Sequence, residues 1–196
     1  MSDDTGKVVD GRRQRTERSR DAIIDAMLAL IEEGNLAPSA QQVSERAGVG
    51  IRSVFRHFSE MEQLFALAEE RTRESDAAIF AGGNREGTLE ERILHAVEQH
   101  AEGYEAKANI LLSTQSQRWR YPTVRKNYAR VQRRLRKDLS DWLPELDDIA
   151  LESREAIDAI ASFEMWYRLR EHQGLSKKIS IGIISQLIAS LLLPQQ

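Results

Sequence analysis

The sequence predicts an all-α protein. Apolar residues recur three and four positions apart along most of the chain, as they would on one face of a helix, and the alternating pattern of strands is essentially missing. Glycine, proline and capping residues interrupt this pattern where one helix would end and the next begin. With 41% hydrophobic and 30% charged residues among 196, the chain can fill a core. We therefore expect helices packed on helices throughout.

The chain is expected to begin with a flexible arm followed by a first helix. Residues 1–14 are polar and lack a repeating apolar face, which is typical of a mobile terminus. From Thr16 onward apolar side chains return at helical spacing as far as Gly34-Asn35, a pair that favours a helix stop. This apolar face consists of Ile23, Ile24, Met27, Leu28, Leu30 and Ile31.

Two short helices joined by a glycine are predicted next. Ser39 and Gln42 stand at capping-box spacing, so the second helix is expected to begin there and to end near Ala47-Gly48. A third helix is expected over residues 50–57. Helices of this length can cross steeply when glycine provides the turn. The pattern predicts a helix-turn-helix whose second helix fits the DNA major groove.

Further helices are predicted through the rest of the chain. Ser59 with Glu62, and Thr88 with Glu91, stand at capping-box spacing and would begin two of them. Residues 82–87 are rich in glycine and indicate a loop. The remaining helices are expected near 106–118, 123–140, 153–172 and 177–193.

Positive charge is concentrated near the first helix, although the net charge is −3. Only Glu17 opposes the arginines between positions 12 and 20. These arginines are Arg12, Arg13, Arg15, Arg18 and Arg20. Such a distribution favours phosphate binding on a small part of the surface over indiscriminate coating of nucleic acid.

The sequence also indicates a cellular compartment. Cysteine is absent, which excludes disulfides, thiolate zinc sites and thiol catalysis and fits a reducing cytoplasm. The first residues do not resemble a secretory signal. Serines and a glutamine interrupt the apolar run from Ile179 to Leu193, and a bilayer span needs about 20 apolar residues. We expect a cytoplasmic protein that makes no membrane contact.

The sequence offers no catalytic motif. The glycines of 82–87 are not followed by the Lys-Ser or Lys-Thr of a phosphate-binding loop, and nucleophile-elbow and paired-histidine zinc motifs are missing. His95 and His100 are five positions apart, which directs them to different helix faces and leaves at most a weak metal site with neighbouring glutamates. We expect no enzymatic activity, no cofactor and no metal site.

Three features of residues 15–65 form a recognisable pattern: Ala47-Gly48-Val49 at the turn, Phe55-Arg56-His57-Phe58 at the end of the third helix, and Leu64. Through them this segment resembles the tetracycline-repressor (TetR) family of regulators. A later stretch, Phe163–Arg170 followed by Gln173-Gly174-Leu175-Ser176, resembles a C-terminal feature of some members. The middle third of the chain carries no such signature.

This resemblance implies a sequence-specific DNA-binding transcriptional regulator. It implies a helix-turn-helix domain over residues 15–62 and a helical domain for ligand binding and dimerisation over 63–196. The partners would be double-stranded DNA with a palindromic operator and an unidentified small molecule that releases the repressor. The alternative is an all-α small-molecule-binding or enzymatic module in which the turn motif is only structural.

The predicted DNA-binding residues are Ser39, Gly50, Ile51, Arg52, Ser53, Phe55, Arg56 and His57. Arg52 is assigned to base reading, because a guanidinium can pair bidentately with guanine. Ser53 could touch a base or a phosphate. Ser39, Arg56 and His57 are phosphate candidates. For His57, packing against Phe58 is an equally open role.

The sequence departs from the family at three of its DNA-facing positions. The family usually has Ser or Thr, Tyr and Lys where this chain has Gly50, Phe55 and Met61. Two of these changes remove a common phosphate contact, and each neutralised phosphate adds affinity through counterion release. The arginines between positions 12 and 20, together with Arg56, could compensate.

Ligand-pocket candidates are the aromatic residues Tyr104, Trp119, Tyr128, Phe163 and Trp166. They would line an apolar pocket if they converge, and would otherwise be ordinary core. The last two helices each carry an apolar stripe, which is typical of an isologous four-helix interface. A homodimer through these helices would place two DNA-reading helices about 34–36 Å apart, one turn of DNA.

A second basic cluster lies between residues 118 and 137, where acidic residues are absent. It consists of Arg118, Arg120, Arg125, Lys126, Arg130, Arg133, Arg134, Arg136 and Lys137. These side chains would either contact an anionic ligand or form the solvated face of an amphipathic helix. The sequence leaves both interpretations open.

Overall fold

The computed structural model describes residues 5–192, with side chains from residue 13 onward, and it confirms the all-α class. Every regular element in that range is helical. The α-helices are α1 Thr5–Glu32, α2 Ala40–Arg46, α3 Ile51–His57, α4 Met61–Phe80, α5 Leu89–Gln117, α6 Pro122–Trp142, α7 Leu151–Ile160, α8 Phe163–Tyr167 and α9 Lys177–Leu192. A 3₁₀ turn, Pro144–Asp147, follows α6, and α8 continues into a π-helical turn, Arg168–His172.

The first helix begins earlier than its apolar pattern predicts. It starts at Thr5 and not near Thr16, so residues 5–14 of the predicted arm are helical. Arginine and glutamine have good helix propensity, and Arg13 pairs with Glu17 one turn later at 3.3 Å. A polar stretch of this composition can therefore extend a helix that is anchored further along. Residues 1–4 lie outside the described range.

The first of two compact units comprises the chain up to Arg73 together with Asn109–Tyr128. Its hydrophobic core contains side chains from the first helices. The side chains that are at most 1% exposed there are Ile23, Met27, Val43, Val54, Phe58 and Leu64. The end of α5 is fixed to this unit by two side-chain donors. Asn109 Nδ2 donates to the Glu32 carbonyl and Ser113 Oγ to the Leu36 carbonyl, each at 2.8 Å.

The second unit comprises Glu74–Ala108 and the chain from Ala129 onward. Trp142 lies in its core and is 1% exposed. The Arg92 guanidinium donates to the Trp142 carbonyl at 2.9 Å and pairs with Glu145. These bonds tie the end of α6 and the following 3₁₀ turn to α5.

Within the second unit, α4 ends in close contact with α5 at Gly103. A Cβ atom built on Gly103 would lie 2.3 Å from the ring of Phe80, nearer than real Cβ contacts come. Glycine is required here for close packing, because any side chain would overlap the ring.

The helix predicted over 153–172 is divided in two. α7 ends at Ile160, and Ser162 caps α8 by accepting a hydrogen bond from the Met165 amide at 3.3 Å. Serine favours a cap because its hydroxyl competes with the backbone for hydrogen bonds inside a helix. The separate helix predicted from 106 is instead continuous with α5, across a kink at Lys107.

The predicted capping box of Ser59 and Glu62 is wrong. α4 begins at Met61, and the Glu62 carboxylate accepts from the Thr123 amide at 2.7 Å instead of capping its own helix with Ser59. This bond holds the pKa of Glu62 below its ordinary value. The Thr88–Glu91 box is confirmed by reciprocal bonds of 2.9 and 3.3 Å.

The compact units do not follow the predicted functional boundary between residues 62 and 63, since 109–128 groups with the N-terminal helices. The assignment of DNA binding to one part of the chain and ligand binding to the other stays a prediction.

Candidate nucleic-acid interface

Helix α2 begins with the predicted capping box. The Ser39 amide donates to Gln42 Oε1 at 2.9 Å, and the Gln42 amide donates to Ser39 Oγ at 3.3 Å. These reciprocal bonds satisfy two backbone donors that would otherwise lack partners. Ser39 itself remains exposed, as a phosphate contact requires.

Gly48 provides the turn between α2 and α3. Its φ of +65° lies in the left-handed region that residues with a Cβ rarely adopt. Each of the two helices buries one valine. Val43 of α2 is 0% exposed and Val54 of α3 is 1% exposed. The predicted glycine-bent helix-turn-helix is confirmed.

Helix α3 buries Val54 and presents its other side outward. Arg52 and Arg56 are exposed, and so are Ile51 and Phe55, at 39% and 50%. Ser53 is half-buried, and its Oγ accepts a hydrogen bond of 3.2 Å from Arg56 Nη2. The side chains predicted to meet DNA are therefore accessible, while their contacts with DNA stay predictions.

The charge of α3 is not neutralised within the described part of the chain, where Arg52 and Arg56 meet no carboxylate. His57 follows them. Burial, and then the nearby guanidinium groups of Arg56 and Arg20, lower the pKa of His57 below its ordinary value. Its Nε2 is buried and has no hydrogen-bond partner among the described residues.

The predicted arginine cluster of α1 adjoins the end of α3. The guanidinium of Arg20 lies over the ring of Phe58, 5.8 Å from its centroid. Arg15 and Arg18 are exposed, and Arg18 Nε donates to the Gln14 carbonyl at 3.4 Å. The side chain of Arg12 lies outside the described side chains. Together, α1 and α3 give one unit two sources of exposed positive charge.

A family comparison identifies this arrangement. Residues 23–68 match the model of the family described as bacterial regulatory proteins, tetR family. The likeness to this family of regulators therefore covers residues 23–68 of the 196. The matched segment contains the apolar part of α1, all of α2 and α3, and the beginning of α4.

Solved structures of regulators share the fold of this chain. A transcriptional regulator from Rhodococcus sp. Rha1 aligns with a TM-score of 0.65 and 20% identity, over 90% of this chain and 95% of its own. A tetR-family transcriptional regulator from Streptomyces coelicolor gives 0.64 and 15%, over 89% and 79%. The multidrug binding protein EbrR, solved in complex with ethidium, gives 0.57 and 18%, over 87% and 98%. A search of curated protein sequences finds no significant match.

The three positions that depart from the TetR pattern offer no phosphate donor from their side chains. Gly50 is the N-cap of α3 and makes no side-chain cap bond. Phe55 is exposed but has no hydroxyl, and Met61 packs partly against the core. Other cations must therefore supply the missing phosphate contacts if the chain binds DNA tightly.

The aromatic pocket candidates do not form one group. Tyr104, Phe163 and Trp166 lie together in the second unit, each at most 3% exposed, with 5.6 Å between the Tyr104 and Phe163 ring centroids. Tyr128 belongs to the first unit. Trp119 is 80% exposed, so its assignment as a pocket residue is wrong. It lies in the short turn between α5 and α6, where no helix covers it.

The first unit contains a cleft that the sequence does not reveal. It encloses about 30 Å³, or about 400 Å³ when its open mouth is counted, and lies among α1, α4, α5 and α6. Its lining is mostly apolar, with polar groups from Glu69, Thr72, Ser113, Thr114 and Asn127. The apolar lining residues are Leu28, Ile31, Phe65, Ala68, Ile110 and Val124. Residues that line a cleft have the same helical spacing as residues that fill a core. The sequence pattern therefore does not distinguish the two.

The two histidines considered for a metal site have other partners. His100 Nε2 lies 3.0 Å from Asp138 Oδ2, and His95 Nδ1 lies 3.1 Å from the Asn84 carbonyl oxygen. Between residues 5 and 192 no group of three potential metal ligands comes together.

The last helix exposes part of its apolar surface. Ile184 and Ile188 are buried in the second unit, whereas Ile179 and Leu187 are 52% and 38% exposed. Within the described range no helix combines the length and the apolar character that crossing a membrane demands. The exposed apolar side chains of α9 are therefore available to another protein surface.

Proposed function

We propose that this chain is a homodimeric repressor that binds a palindromic operator through α3 and is released by a small molecule. The observation that carries the proposal is the outer face of α3, where two arginines without carboxylate partners stand beside two exposed apolar side chains. Val54 and the Gly48 turn hold this face outward. A short helix presented in this way fits the major groove.

The order of residues along α3 supports base contacts from its first turn and phosphate contacts from its last turn. Arg52 is in its first turn, the part of such a helix that meets base edges, and a guanidinium pairs bidentately with guanine O6 and N7. Ile51 is beside it and offers apolar contact to a thymine methyl. Arg56 and His57 lie in the last turn, where phosphate contacts would set the register of the helix on the duplex.

Dimerisation is supported by α9. Its exposed Ile179 and Leu187 are two turns apart and lie on one side of the helix. Apolar side chains exposed in this way favour association with the same helix of a second copy. A two-fold dimer would present two copies of α3 to successive major grooves, about 34 Å apart.

The cleft of the first unit supports a site for the releasing ligand. Its apolar lining and five polar side chains suit a mostly apolar small molecule with a few hydrogen-bonding groups, and the cleft would widen to admit it. Leu28 and Ile31 of α1 line it, so a bound molecule would change how α1 packs within the unit that carries α3. The fold-related EbrR is a multidrug binding protein solved with ethidium, which makes ethidium a sensible first probe.

DNA binding can be tested with duplexes selected from a random library by the wild-type protein. We expect the Arg52→Ala variant to lose roughly tenfold to a hundredfold in affinity for the selected duplex and to lose its preference for it over a scrambled one. Fluorescence anisotropy measures both quantities. Arg134→Ala removes an exposed arginine from α6 and is expected to bind like wild type.

Two results would overturn the assignment. Failure of the wild-type protein to enrich any duplex would favour the alternative of an all-α binding module with a structural turn. Unchanged affinity and preference in Arg52→Ala would remove α3 from base recognition.

Ligand binding can be tested on the protein without DNA, because ethidium itself binds duplexes. A ligand present at about a hundred times its Kd stabilises the folded state by about 2.7 kcal/mol, which a thermal shift detects. We expect Thr114→Leu, which narrows the cleft, to reduce that shift for ethidium or for a hit from an apolar compound library. An undiminished shift in the variant would place the ligand elsewhere.

A further inference from the structure

The turn between α5 and α6 forms an exposed basic surface, which we call the α5–α6 corner and define as Arg118–Lys126. Trp119 is 80% exposed there. Three of the four cations of the corner, Arg120, Arg125 and Lys126, are also exposed. No acidic residue occurs between 118 and 137. Tryptophan side chains are mostly buried on average, so an exposed indole among cations is unusual.

The corner is attached to the beginning of α4. The Thr123 amide donates to Glu62 at 2.7 Å, and the ring of Tyr121 packs against Phe65 with 5.8 Å between centroids. Glu62 and Phe65 belong to the first turns of α4, and all four residues lie in the compact unit that contains α3. The corner therefore belongs to the proposed DNA-binding unit although it is distant from α3 in sequence.

The distance from the corner to α3 is limited by the chain itself. Glu62 follows His57, the last residue of α3, by five positions. Five residues span at most about 18 Å even when fully extended. One turn of DNA is about 34 Å long. Glu62, to which the corner is attached, therefore lies closer to the end of α3 than one turn of DNA is long.

Contacts inside the corner leave positive charge exposed. The Arg118 guanidinium stacks on Tyr128 and Trp119, at 4.1 and 4.9 Å from their ring centroids, and that of Arg120 lies 5.2 Å from the Tyr121 ring. The Glu62 carboxylate is the facing acid, and its pKa is lowered by the Thr123 bonds and then by Lys126. Arg125 meets no carboxylate among the described residues.

We propose that the α5–α6 corner binds the phosphates of the DNA that flanks the site contacted by α3. This inference rests on the proposed function, because it requires α3 to hold a duplex. Arg120, Arg125 and Lys126 supply the charge, and the Trp119 indole supplies an N–H donor and an apolar face for the sugar-phosphate edge. The corner thereby replaces the phosphate donors that Phe55 and Met61 lack.

The first test is a pair of matched double variants of α6. Arg125→Gln with Lys126→Gln removes two charges at the corner, and Arg133→Gln with Arg134→Gln removes two exposed charges further along the same helix. Affinity is measured for the selected duplex as the core site alone and with roughly five base pairs added at each end, half a turn of DNA.

We expect the corner variant to bind the extended duplex roughly tenfold more weakly than wild type and to lose the benefit of the added ends. The slope of log K against log salt should become shallower by about 0.9 for each phosphate that the variant no longer neutralises. Preference for the selected over a scrambled sequence should persist. The control variant should keep the wild-type slope and dependence on length.

The second test uses the three tryptophans as reporters. Trp142 and Trp166 are 1% and 3% exposed, so acrylamide quenches mainly Trp119 in the native protein. We expect the extended duplex to protect Trp119 and the core duplex to protect it less. The Trp119→Phe variant shows how much of the quenched fluorescence comes from Trp119.

The outcomes separate this inference from the proposed function. Duplex binding with full salt dependence in the corner variant, and with Trp119 still quenched, overturns the inference alone. Absence of any duplex binding by wild type overturns both. Protection of Trp119 by vesicles of phosphatidylserine, with none by DNA, would assign the corner to a lipid surface and also refute the inference.

Discussion

The arginines of α3 differ in their surroundings from two arginines of the second compact unit. Arg52 and Arg56 are exposed and meet no carboxylate among the described residues. Arg85 and Arg92 pair with Asp138 and Glu145. A guanidinium that already has a carboxylate partner fixes the fold, whereas one without a partner keeps its charge for a phosphate. Carboxylate pairing therefore identifies Arg85 and Arg92 as structural, whereas the DNA-binding role proposed for Arg52 and Arg56 rests also on their position in α3.

Two histidines repeat this contrast. His100 is 4% exposed and its Nε2 lies 3.0 Å from Asp138 Oδ2. His57 Nε2 is buried and has no partner in the described part of the chain. A buried polar atom without a partner calls for an explanation, and an incoming ligand atom is one. The phosphate role of His57 stays a prediction, and it requires DNA binding to uncover this nitrogen.

The largest expected effect comes from removing the shared acceptor of the second unit. Asp138→Ala leaves His100 and Arg85 without their carboxylate, and we expect it to lower the free energy of unfolding by about 3 kcal/mol. Urea titration measures the change. Asp141→Ala is the control, because its partner Lys137 is 75% exposed and such pairs contribute less than about 1 kcal/mol. Equal midpoints for the two variants would contradict the comparison.

The same cluster predicts a pH dependence of stability. Burial would raise the pKa of Asp138, but hydrogen bonds from His100 and Arg85 outweigh it, and the pKa lies below its ordinary value. Its stabilisation is present above the unfolded pKa of about 3.9 and is lost as the pH falls through the lower folded pKa. We expect Asp138→Asn to lose less stability than wild type on acidification from about pH 5. Parallel acid profiles in urea would contradict this.

A smaller effect is expected at His57. His57→Phe removes the buried nitrogen without a partner while keeping a ring, so stability should change by less than about 1 kcal/mol. Affinity for the selected duplex should fall roughly tenfold, about the worth of a hydrogen bond to a charged group.

The pH dependence of the same variant separates the two roles of His57. Because its pKa is lowered in the folded protein, stability is lost as the pH falls below about 6.5, where the unfolded chain takes up the proton. DNA binding should tighten over the same range if phosphate accepts from the imidazolium. A His57→Phe variant that binds duplex like wild type at every pH would leave His57 with only its packing against Phe58.

The smallest effect is expected at the start of α3. Gly50 has an extended backbone conformation and open space around its Cβ position, so Gly50→Ser can add the missing cap and a few tenths of a kcal/mol of stability. Gly48→Ser is the matched opposite, because its φ of +65° strains any residue with a Cβ and should cost about 1 kcal/mol. Thermal unfolding that ranks these variants the other way would refute this account of the turn.

The parts of the fold that could be predicted are those that depend on residues close together in the sequence. The capping box of Ser39 and Gln42 needs residues three positions apart, and the turn at Gly48 needs one glycine. The partner of Glu62 could not be predicted, because Thr123 is 61 positions away. The early start of α1 could not be predicted either, because a polar helical extension has no apolar periodicity to reveal it.

The same limit applies to the site. The exposed face of α3 follows from one short amphipathic helix, and its residues lie where the pattern predicts. An aromatic residue such as Trp119 is expected in a pocket because aromatic residues are usually buried, but its exposure depends on where α5 ends and α6 begins. The cleft arises from gaps between four helices, which no single helical pattern records.

The contact between Gly103 and Phe80 also limits how this gene can change. Every substitution of the glycine adds a carbon 2.3 Å from the aromatic ring, so a mutation that replaces this residue yields a protein that must deform to fold. The tolerable evolutionary route runs through the other partner first, with a smaller side chain replacing Phe80 before residue 103 can enlarge. Among descendants of this sequence, the two positions should therefore vary as a pair and in that order.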